Sequence, residues 1–274
     1  MTTHDIIGIA LAEDLACGPD ATTVATVPED AVAVAELTPR KPGVLAGVDV
    51  AREVFTRVLP SVEVLSSLED GADLEPGVPA LVVRGATRSL LTAERTALNF
   101  LCHLSGVATA TRAWVRAVEG TGTRIRDSRK TLPGLRALEK QAVRSGGGTN
   151  HRMALGDAVL IKDNHVLAAG GVAKALAAAR THAPDLPCEV EVDTLAQLDE
   201  ALSENADLVL LDNFTVADCA EAVRRASGTP TRLEASGGLT LDVARAYAET
   251  GVHFLAVGGL THSSPALDLG MDLR

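Results

Sequence analysis

Aromatic residues are scarce in this chain: they make up 2% of 274 residues, with one Trp, one Tyr and four Phe. Proteins that bind single-stranded nucleic acid stack bases on aromatic side chains, and a formal net charge of −11 repels phosphate backbones. The sequence also contains neither GxGxxG nor GxxxxGKS/T, so it predicts no Rossmann dinucleotide site and no P-loop. We therefore expect no nucleic-acid partner and favour a small anionic ligand.

Cysteine pairs and long apolar runs are also missing. The four cysteines are scattered, with no CxxC pair, which predicts reduced, mostly buried thiols in a cytoplasmic protein and no zinc site. The N-terminal run IIGIALA is short, is bounded by acids and has no basic residue before it. We therefore expect neither a signal peptide nor a membrane span.

Against this acidic background, residues 124–152 are strongly basic. The segment RIRDSRKTLPGLRALEKQAVRSGGGTNHR holds eight Lys and Arg residues and two acids, a formal charge of +6. Guanidinium groups near a protein interior are costly unless they are paired, and the acids here are too few, so the segment predicts a bound anion. Arg136, Lys140 and Arg144 fit a solvated helix face. SRKT and NHR fit that interpretation poorly, because they flank turns that contain Gly or Pro.

The order of patterns predicts two domains. Helical and short strand patterns come first, and the stretch 90–120 reads as two helices broken near Ser105 and Gly106. After Gly122, six strand–loop–helix units follow: their strands are TRIRDS, DAVLIKD, CEVEVD, ADLVLLDN, TRLEAS and HFLAVGG. Such repetition predicts a parallel sheet and favours a closed (β/α) barrel. We predict domains at 1–106 and 107–263, with the tail 264–274 packing on the first.

Charged residues and glycines recur at the ends of these strands, where barrels of this kind bind ligands. They are Arg129 and Lys130, Lys162, Glu191 and Asp193, Asp212, Glu234 and Ser236, and Gly258 and Gly259. One such carboxylate is often only a helix cap, but a series is harder to explain that way. LEASGGLT and LAVGGLTHS both join a strand, a Gly-Gly turn and a hydroxyl residue, which predicts a phosphate site. The set suits a sugar phosphate with Mg²⁺ beside an anionic co-substrate.

Several segments together resemble the quinolinate phosphoribosyltransferase family. They are LLTAERTALNFLCHLSGVAT, DSRKTLPGLRALEKQAVRSGGGTNHRMALGDAVLIKDNH, EVEVD, LLDN, LEASGG and GGLTHS. The resemblance covers essentially the whole chain. It implies an α/β fold, in which an N-terminal α/β sandwich domain is joined to a partly open (β/α) barrel domain.

The resemblance also implies an activity and a role for each matching residue. The activity is transfer of phosphoribosyl from phosphoribosyl pyrophosphate to quinolinate with loss of CO₂, giving nicotinate mononucleotide for NAD biosynthesis. Quinolinate is held by Arg129, His151, Arg152 and Lys162, and by Arg95 from the second subunit of a homodimer. Lys130 faces the pyrophosphate, Glu191 and Asp212 hold the ribose and Mg²⁺, and Ser236, Gly237, Gly238, Gly258 and Gly259 bind the 5-phosphate. Lys130, Lys162, Glu191 and Asp212 form the implied catalytic set.

Three other activities remain open from the residues alone. A phosphoribosyltransferase that acts on nicotinate without decarboxylation needs fewer cationic groups, because its ring carries one carboxylate. A Schiff-base aldolase would use Lys162 at a strand end. A sugar-phosphate sensor needs no metal-binding carboxylates. For His151, a structural role in which it bonds a backbone carbonyl also remains an alternative.

Overall fold

The computed structural model describes residues 3–274, and the chain divides into two compact units. The first consists of the described residues up to Arg112, Thr131–Gly147 and Leu260–Arg274, and the second of Ala113–Lys130 and Gly148–Gly259. Each unit is discontinuous in sequence: the first unit includes the tail that was predicted to pack on the first domain, and also Thr131–Gly147, which lies within the predicted second domain. Among residues 3–274, no helix combines the length and the apolar character that crossing a membrane requires.

The first unit is built on an antiparallel sheet. Its elements are α1 (Thr3–Asp14), α2 (Ala21–Thr26), β1 (Val32–Pro39), β2 (Gly43–Val44), α3 (Val48–Val58), β3 (Glu63–Ser67), β4 (Asp73–Leu74) and β5 (Leu81–Ala86), followed by the start of α4 (Thr87–Ala117). The strand order is β12-β1-β5-β3, and β2 pairs with β4 separately. Strand β12 (Leu269–Leu273) places the end of the chain in this sheet, antiparallel to β1.

The second unit is a parallel sheet with helices between its strands. After β6 (Arg124–Arg126), the elements are α5 (Arg136–Ser145, in the first unit), β7 (Val159–Ile161), α6 (Asp163–Ala169), α7 (Val172–His182), β8 (Cys188–Val192), α8 (Leu195–Ser203), β9 (Leu208–Asp212), α9 (Val216–Ala226), β10 (Arg232–Ser236), α10 (Ala244–Ala248), β11 (Phe254–Ala256) and α11 (Gly259–His262). All six predicted barrel strands are present, in the order β6-β11-β10-β9-β8-β7.

This sheet does not close, so the closed barrel inferred from repetition is wrong and the partly open barrel is confirmed. Strands β6 and β7 are the two edges. The backbone of Thr149 bonds to β6 instead: its N–H donates to Ile125 O at 2.8 Å, and Asp127 N–H donates to its O at 3.2 Å. Because this segment runs beside β6, the residues that follow it, His151 and Arg152, are placed at the carboxyl end of the strand.

The predicted break near Ser105 and Gly106 is also wrong, since α4 is a single helix of 31 residues. A side chain at Gly106 would collide with the backbone of Pro265 and Ala266. The amide of Leu267 donates to Cys102 O at 2.9 Å, so the returning tail lies directly against the helix. The glycine therefore permits a close approach of two backbones, and does not end the helix.

The solvated face predicted for 135–144 needs correction as well. Arg144 is exposed, but Glu139 and Lys140 are both 0% exposed. One oxygen of Glu139 lies 2.9 Å from Nε2 of His103, and the other accepts from the amide of Leu132 at 3.1 Å. Helix α5 thus turns part of its charged surface inward.

The cysteines are free, but they are less buried than the sequence predicted. Cys219 is buried, Cys102 and Cys188 are half-buried, and Cys17 is exposed. Burial raises the pKa of the Cys219 thiol to about 12.

Candidate active site

A cavity of about 400 Å³ opens at the carboxyl ends of the parallel strands of the second unit. It brings together most of the predicted site residues: Arg129, Lys130, His151, Arg152, Lys162, Glu191, Asp212, Ser236 and Gly258. Alternate residues of a strand face the same side of a sheet. On β10, for example, both Glu234 and Ser236 line the cavity, as Leu210 and Asp212 do on β9. The strand ends therefore present their polar residues to one space.

Two arginines in this cavity carry donors that have no acceptor. The Nε atoms of Arg129 and Arg152 are buried, and neither has a hydrogen-bond partner among residues 3–274. Arg152 donates through Nη1 to Ala158 O at 3.1 Å. Burial, and then the like charge of Arg129, lower the pKa of Arg152. Two guanidinium groups that repel each other and still offer donors are suited to an anion with planar oxygens.

Two carboxylates stand on adjacent strands across the cavity. Glu191 on β8 pairs with Lys162, whose Nζ lies 2.7 Å from Oε2. Asp212 on β9 accepts from Nδ2 of Asn213 at 2.8 Å. Burial, and then the charges of Glu191 and Asp193, raise the pKa of Asp212, while Lys162 and Lys130 oppose this shift. Two hard-oxygen donors that repel each other fit a divalent cation such as Mg²⁺, which binds proteins through one or two carboxylates.

Glycines shape the cavity wall in two different ways. A side chain at Gly258 would lie 3.1 Å from Cδ of Lys130, so this glycine leaves room for the lysine. Gly237 has φ +92°, and a side chain there would collide with Asn213. The positive φ of Gly237 and its close approach to Asn213 are enough to require glycine at this position. A phosphate role for this turn therefore remains a prediction.

Four predicted residues are not part of the cavity wall. Gly237, Gly238 and Gly259 follow strands β10 and β11 but do not line the cavity. Arg95 lies exposed on α4, in the first unit, whereas all lining residues belong to the second. Its assignment to a second subunit's site also remains a prediction.

A buried charged group, which the sequence did not indicate as a unit, reaches the cavity through His151 and Glu234. We call Arg126, His151, Glu189 and Glu234 the inner cluster, and Arg129, Lys130, Arg152 and Lys162 the rim cluster. Glu189 is 4% exposed and Glu234 is 0% exposed. Nη1 of Arg126 lies 2.5 Å from Oε2 of Glu234 and 3.9 Å from Oε2 of Glu189. His151 Nε2 lies 2.8 Å from Oε2 of Glu189 and 4.0 Å from Oε1 of Glu234.

The inner cluster holds two carboxylates that face one guanidinium. Burial, and then the charge of Glu189, raise the pKa of Glu234 to about 8, against the lowering effect of Arg126. This shift favours the protonated form of Glu234. Protonation of Glu234 reduces the cost of burying two carboxylates beside one guanidinium.

A signal for this cluster does exist in the sequence. In CEVEVD, Glu189 stands two residues before Glu191 on an otherwise apolar strand, and Arg126 in RIRDS occupies the same kind of position. In a strand buried on both faces, a charge at spacing two from a rim residue points to the same side of the sheet. Glu234 was assigned to the rim, but it lies at the buried level.

Family models match both parts of the chain. The N-terminal domain of quinolinate phosphoribosyl transferase matches residues 20–105, and its C-terminal domain matches residues 107–272. The nicotinate-nucleotide pyrophosphorylase (carboxylating) of Mycobacterium leprae is 59% identical over 274 residues, covering 98% of this chain and 96% of that protein. A probable enzyme of the same name from Bacillus subtilis is 40% identical over 240 residues, 87% of this chain and 83% of that protein.

A solved structure agrees with these matches. The nicotinate-nucleotide pyrophosphorylase from Francisella tularensis superposes with a TM-score of 0.95 at 39% identity, covering 99% of this chain and 96% of that one.

Proposed function

Because the chain belongs to the quinolinate phosphoribosyltransferase family, we propose that its second unit transfers phosphoribosyl from phosphoribosyl pyrophosphate to quinolinate, with decarboxylation to nicotinate mononucleotide. One observation carries the assignment of substrate. Arg129 and Arg152 face one cavity with buried Nε donors for which the described chain supplies no acceptor. Quinolinate carries two carboxylates, and guanidinium groups recognise carboxylates through paired hydrogen bonds. Lys162 adds a third cation on the same wall.

The reaction balances without a dedicated base. The ring nitrogen forms a bond to C1 of the ribose as the bond from C1 to pyrophosphate breaks, and the electron pair leaves on the pyrophosphate oxygen. The C2–carboxylate bond then breaks, and its electron pair stays at C2, next to the cationic nitrogen, until a proton arrives from solvent. The chain's part is to position the substrates and to stabilise charge. Lys130 faces the departing pyrophosphate, and Ser236 and Gly258 lie on the wall toward the 5-phosphate.

The metal belongs to the same proposal. Glu191 and Asp212 would hold Mg²⁺, which when bound offsets the negative charge of a departing diphosphate. The fit rests on the pair of carboxylates on adjacent strands and on the raised pKa of Asp212. Lys162 pairs with Glu191 at 2.7 Å and partly offsets its charge.

The test offers purified protein, Mg²⁺ and phosphoribosyl pyrophosphate with quinolinate or nicotinate in parallel. We expect mononucleotide and labelled CO₂ in equal amounts from quinolinate, and little product from nicotinate. Product from nicotinate alone would assign the protein to the class that does not decarboxylate. No product from either ring would mean that the fold has been kept without this chemistry.

We also propose a homodimer in the cytoplasm, in which Arg95 completes the partner's site. Free cysteines fit a reducing compartment. The dimer is tested by co-expressing Arg95→Ala and Arg152→Ala chains, each of low activity alone. A mixed dimer contains one site with both arginines intact, so random pairing should restore roughly a quarter of wild-type activity. If Arg95 served its own chain's site, mixing would restore nothing.

A further inference from the structure

The hydrogen bond at Nδ1 of His151 defines the state of its ring. The backbone N–H of Arg152 donates to this nitrogen at 2.7 Å. A backbone amide can only donate, so Nδ1 is an acceptor and carries no proton. The proton of the ring must then be on Nε2, and the imidazole is neutral. In an imidazolium, the Nδ1–H of His151 would point at the backbone N–H of Arg152, and two donors would face each other.

The other nitrogen points toward the inner cluster. Nε2 lies 2.8 Å from Oε2 of Glu189, which is 4% exposed. Arg126 on β6 reaches Glu189 and Glu234 from the opposite side, at 3.9 and 2.5 Å. Five charged groups surround the ring. Arg126 lies on β6 and Asp127 directly follows that strand, Glu189 lies on β8, Glu234 lies on β10, and Arg152 is the next residue after His151. Asp127 accepts the backbone N–H of His151 at 2.8 Å.

These contacts form a chain from the interior to the rim. Nη1 of Arg126 lies 3.9 Å from Glu189, Glu189 lies 2.8 Å from Nε2 of the imidazole, and Nδ1 of the imidazole accepts from the backbone N–H of Arg152. We propose that His151 is a neutral positioning residue beside Glu189, which fixes Arg152 through its backbone, so that the cations lining the cavity that recognise the substrate's carboxylates are Arg129, Arg152 and Lys162.

A metal ion is the main competing explanation for the same residues. His151, Glu189 and Glu234 each place one ligand atom within 4.8 Å of the others. Binding a metal at Nε2, however, requires a lone pair there, and the bond at Nδ1 puts the proton on that atom. Arg126 already supplies the positive charge that a cation would bring.

The first test measures the protonation state of the two His151 ring nitrogens and does not depend on enzyme activity. ¹⁵N-labelled histidine in the full-length protein, assigned with His151→Gln, should show a protonated Nε2 and an unprotonated Nδ1 at neutral pH. An imidazolium signal, or a proton on Nδ1, would overturn the proposal. Adding Zn²⁺ to chelator-treated protein should leave the His151 signals in place, and their displacement would identify a metal site instead.

The second test uses Glu189→Gln and depends on the proposed function for its substrate. We expect the KM for quinolinate to rise roughly tenfold, as for other residues that orient a ligand-binding group. The KM for phosphoribosyl pyrophosphate and kcat should stay near wild-type values. A purely structural role would instead lower activity toward both substrates together, and that result would overturn the positioning role.

Asp207→Asn is the matched control, because it removes one carboxylate from an exposed position at the opposite end of β9. If Glu189→Gln fails to fold, the ring measurement on the wild-type protein still decides the proposal. An inactive wild-type protein with the expected ring state would disprove the proposed function but not the state of His151.

Discussion

The rim cluster, together with its neighbours Glu191 and Asp212, and the inner cluster both combine cations with carboxylates, yet they differ in burial. Glu191 and Glu189 lie two residues apart on one strand, yet Glu191 pairs with a lysine that is 47% exposed, whereas Glu189 is enclosed with Arg126 and His151. At the rim, guanidinium Nε atoms lack acceptors among the described residues. In the interior, Nη1 of Arg126 lies near both Glu189 and Glu234, and burial raises the pKa of Glu234. Burial decides whether a charged group is available to a ligand or serves to support its neighbours.

The largest expected effect is at the rim. Arg152→Ala should lower kcat/KM for quinolinate by about 2–5 kcal/mol, roughly thirtyfold to several thousandfold, because it removes a half-buried partner of a charged ligand. Arg124→Ala is the control: it removes one exposed arginine from the start of β6. Near-wild-type kcat/KM in Arg152→Ala would show that the rim cluster does not bind the carboxylates.

A smaller effect is expected from the rim carboxylates. Asp212→Asn should raise the Mg²⁺ concentration needed for half-maximal activity by roughly 10- to 100-fold, since one of two proposed oxygen ligands loses its charge. Asp193→Asn, which changes an exposed neighbour outside the cavity wall, should have little effect on this requirement. Equal Mg²⁺ requirements in the wild type and Asp212→Asn would assign Asp212 to ribose binding alone.

The inner cluster should be detected through stability and pH. Because the pKa of Glu234 is raised in the folded protein to about 8, its contribution to stability is complete at acidic pH and is lost as pH rises toward that value. The glutamine in Glu234→Gln cannot ionise, so the Tm of this variant should rise relative to the wild-type Tm as pH increases from about 5 to about 8.5. If the Tm difference between Glu234→Gln and the wild type stayed constant with pH, Glu234 would not be the group whose pKa is raised.

The smallest effect is expected at Lys162, and it separates the two kinds of ion pair. Lys162→Met should cost less than about 1 kcal/mol of unfolding free energy, because the Lys162 side chain is 47% exposed. Arg126→Met leaves Glu189 and Glu234 buried without their cation, and should cost about 3–5 kcal/mol. Denaturant unfolding of both variants gives the comparison. Similar losses would mean that burial does not distinguish the clusters.

The sequence predicted the local elements well, because their signals are local. All six parallel strands and the helices between them follow from apolar runs that alternate with amphipathic segments. It failed where one segment meets another that is distant in sequence. Gly106 was interpreted as a helix break, but it accommodates the backbone of Pro265. The sheet stays open because Thr149, in an irregular segment, bonds to β6.

The candidate site divides in the same manner. The residue types at the strand ends follow from sequence alone, since a strand brings its last polar residue to a known edge of the sheet. The three-dimensional fold is needed to show that Glu189, Glu234, Arg126 and His151 meet, that Lys140 is buried and that Arg129 and Arg152 are left with open donors. Pairing and burial depend on distances between segments far apart in sequence, and the residue pattern of a single strand does not contain those distances.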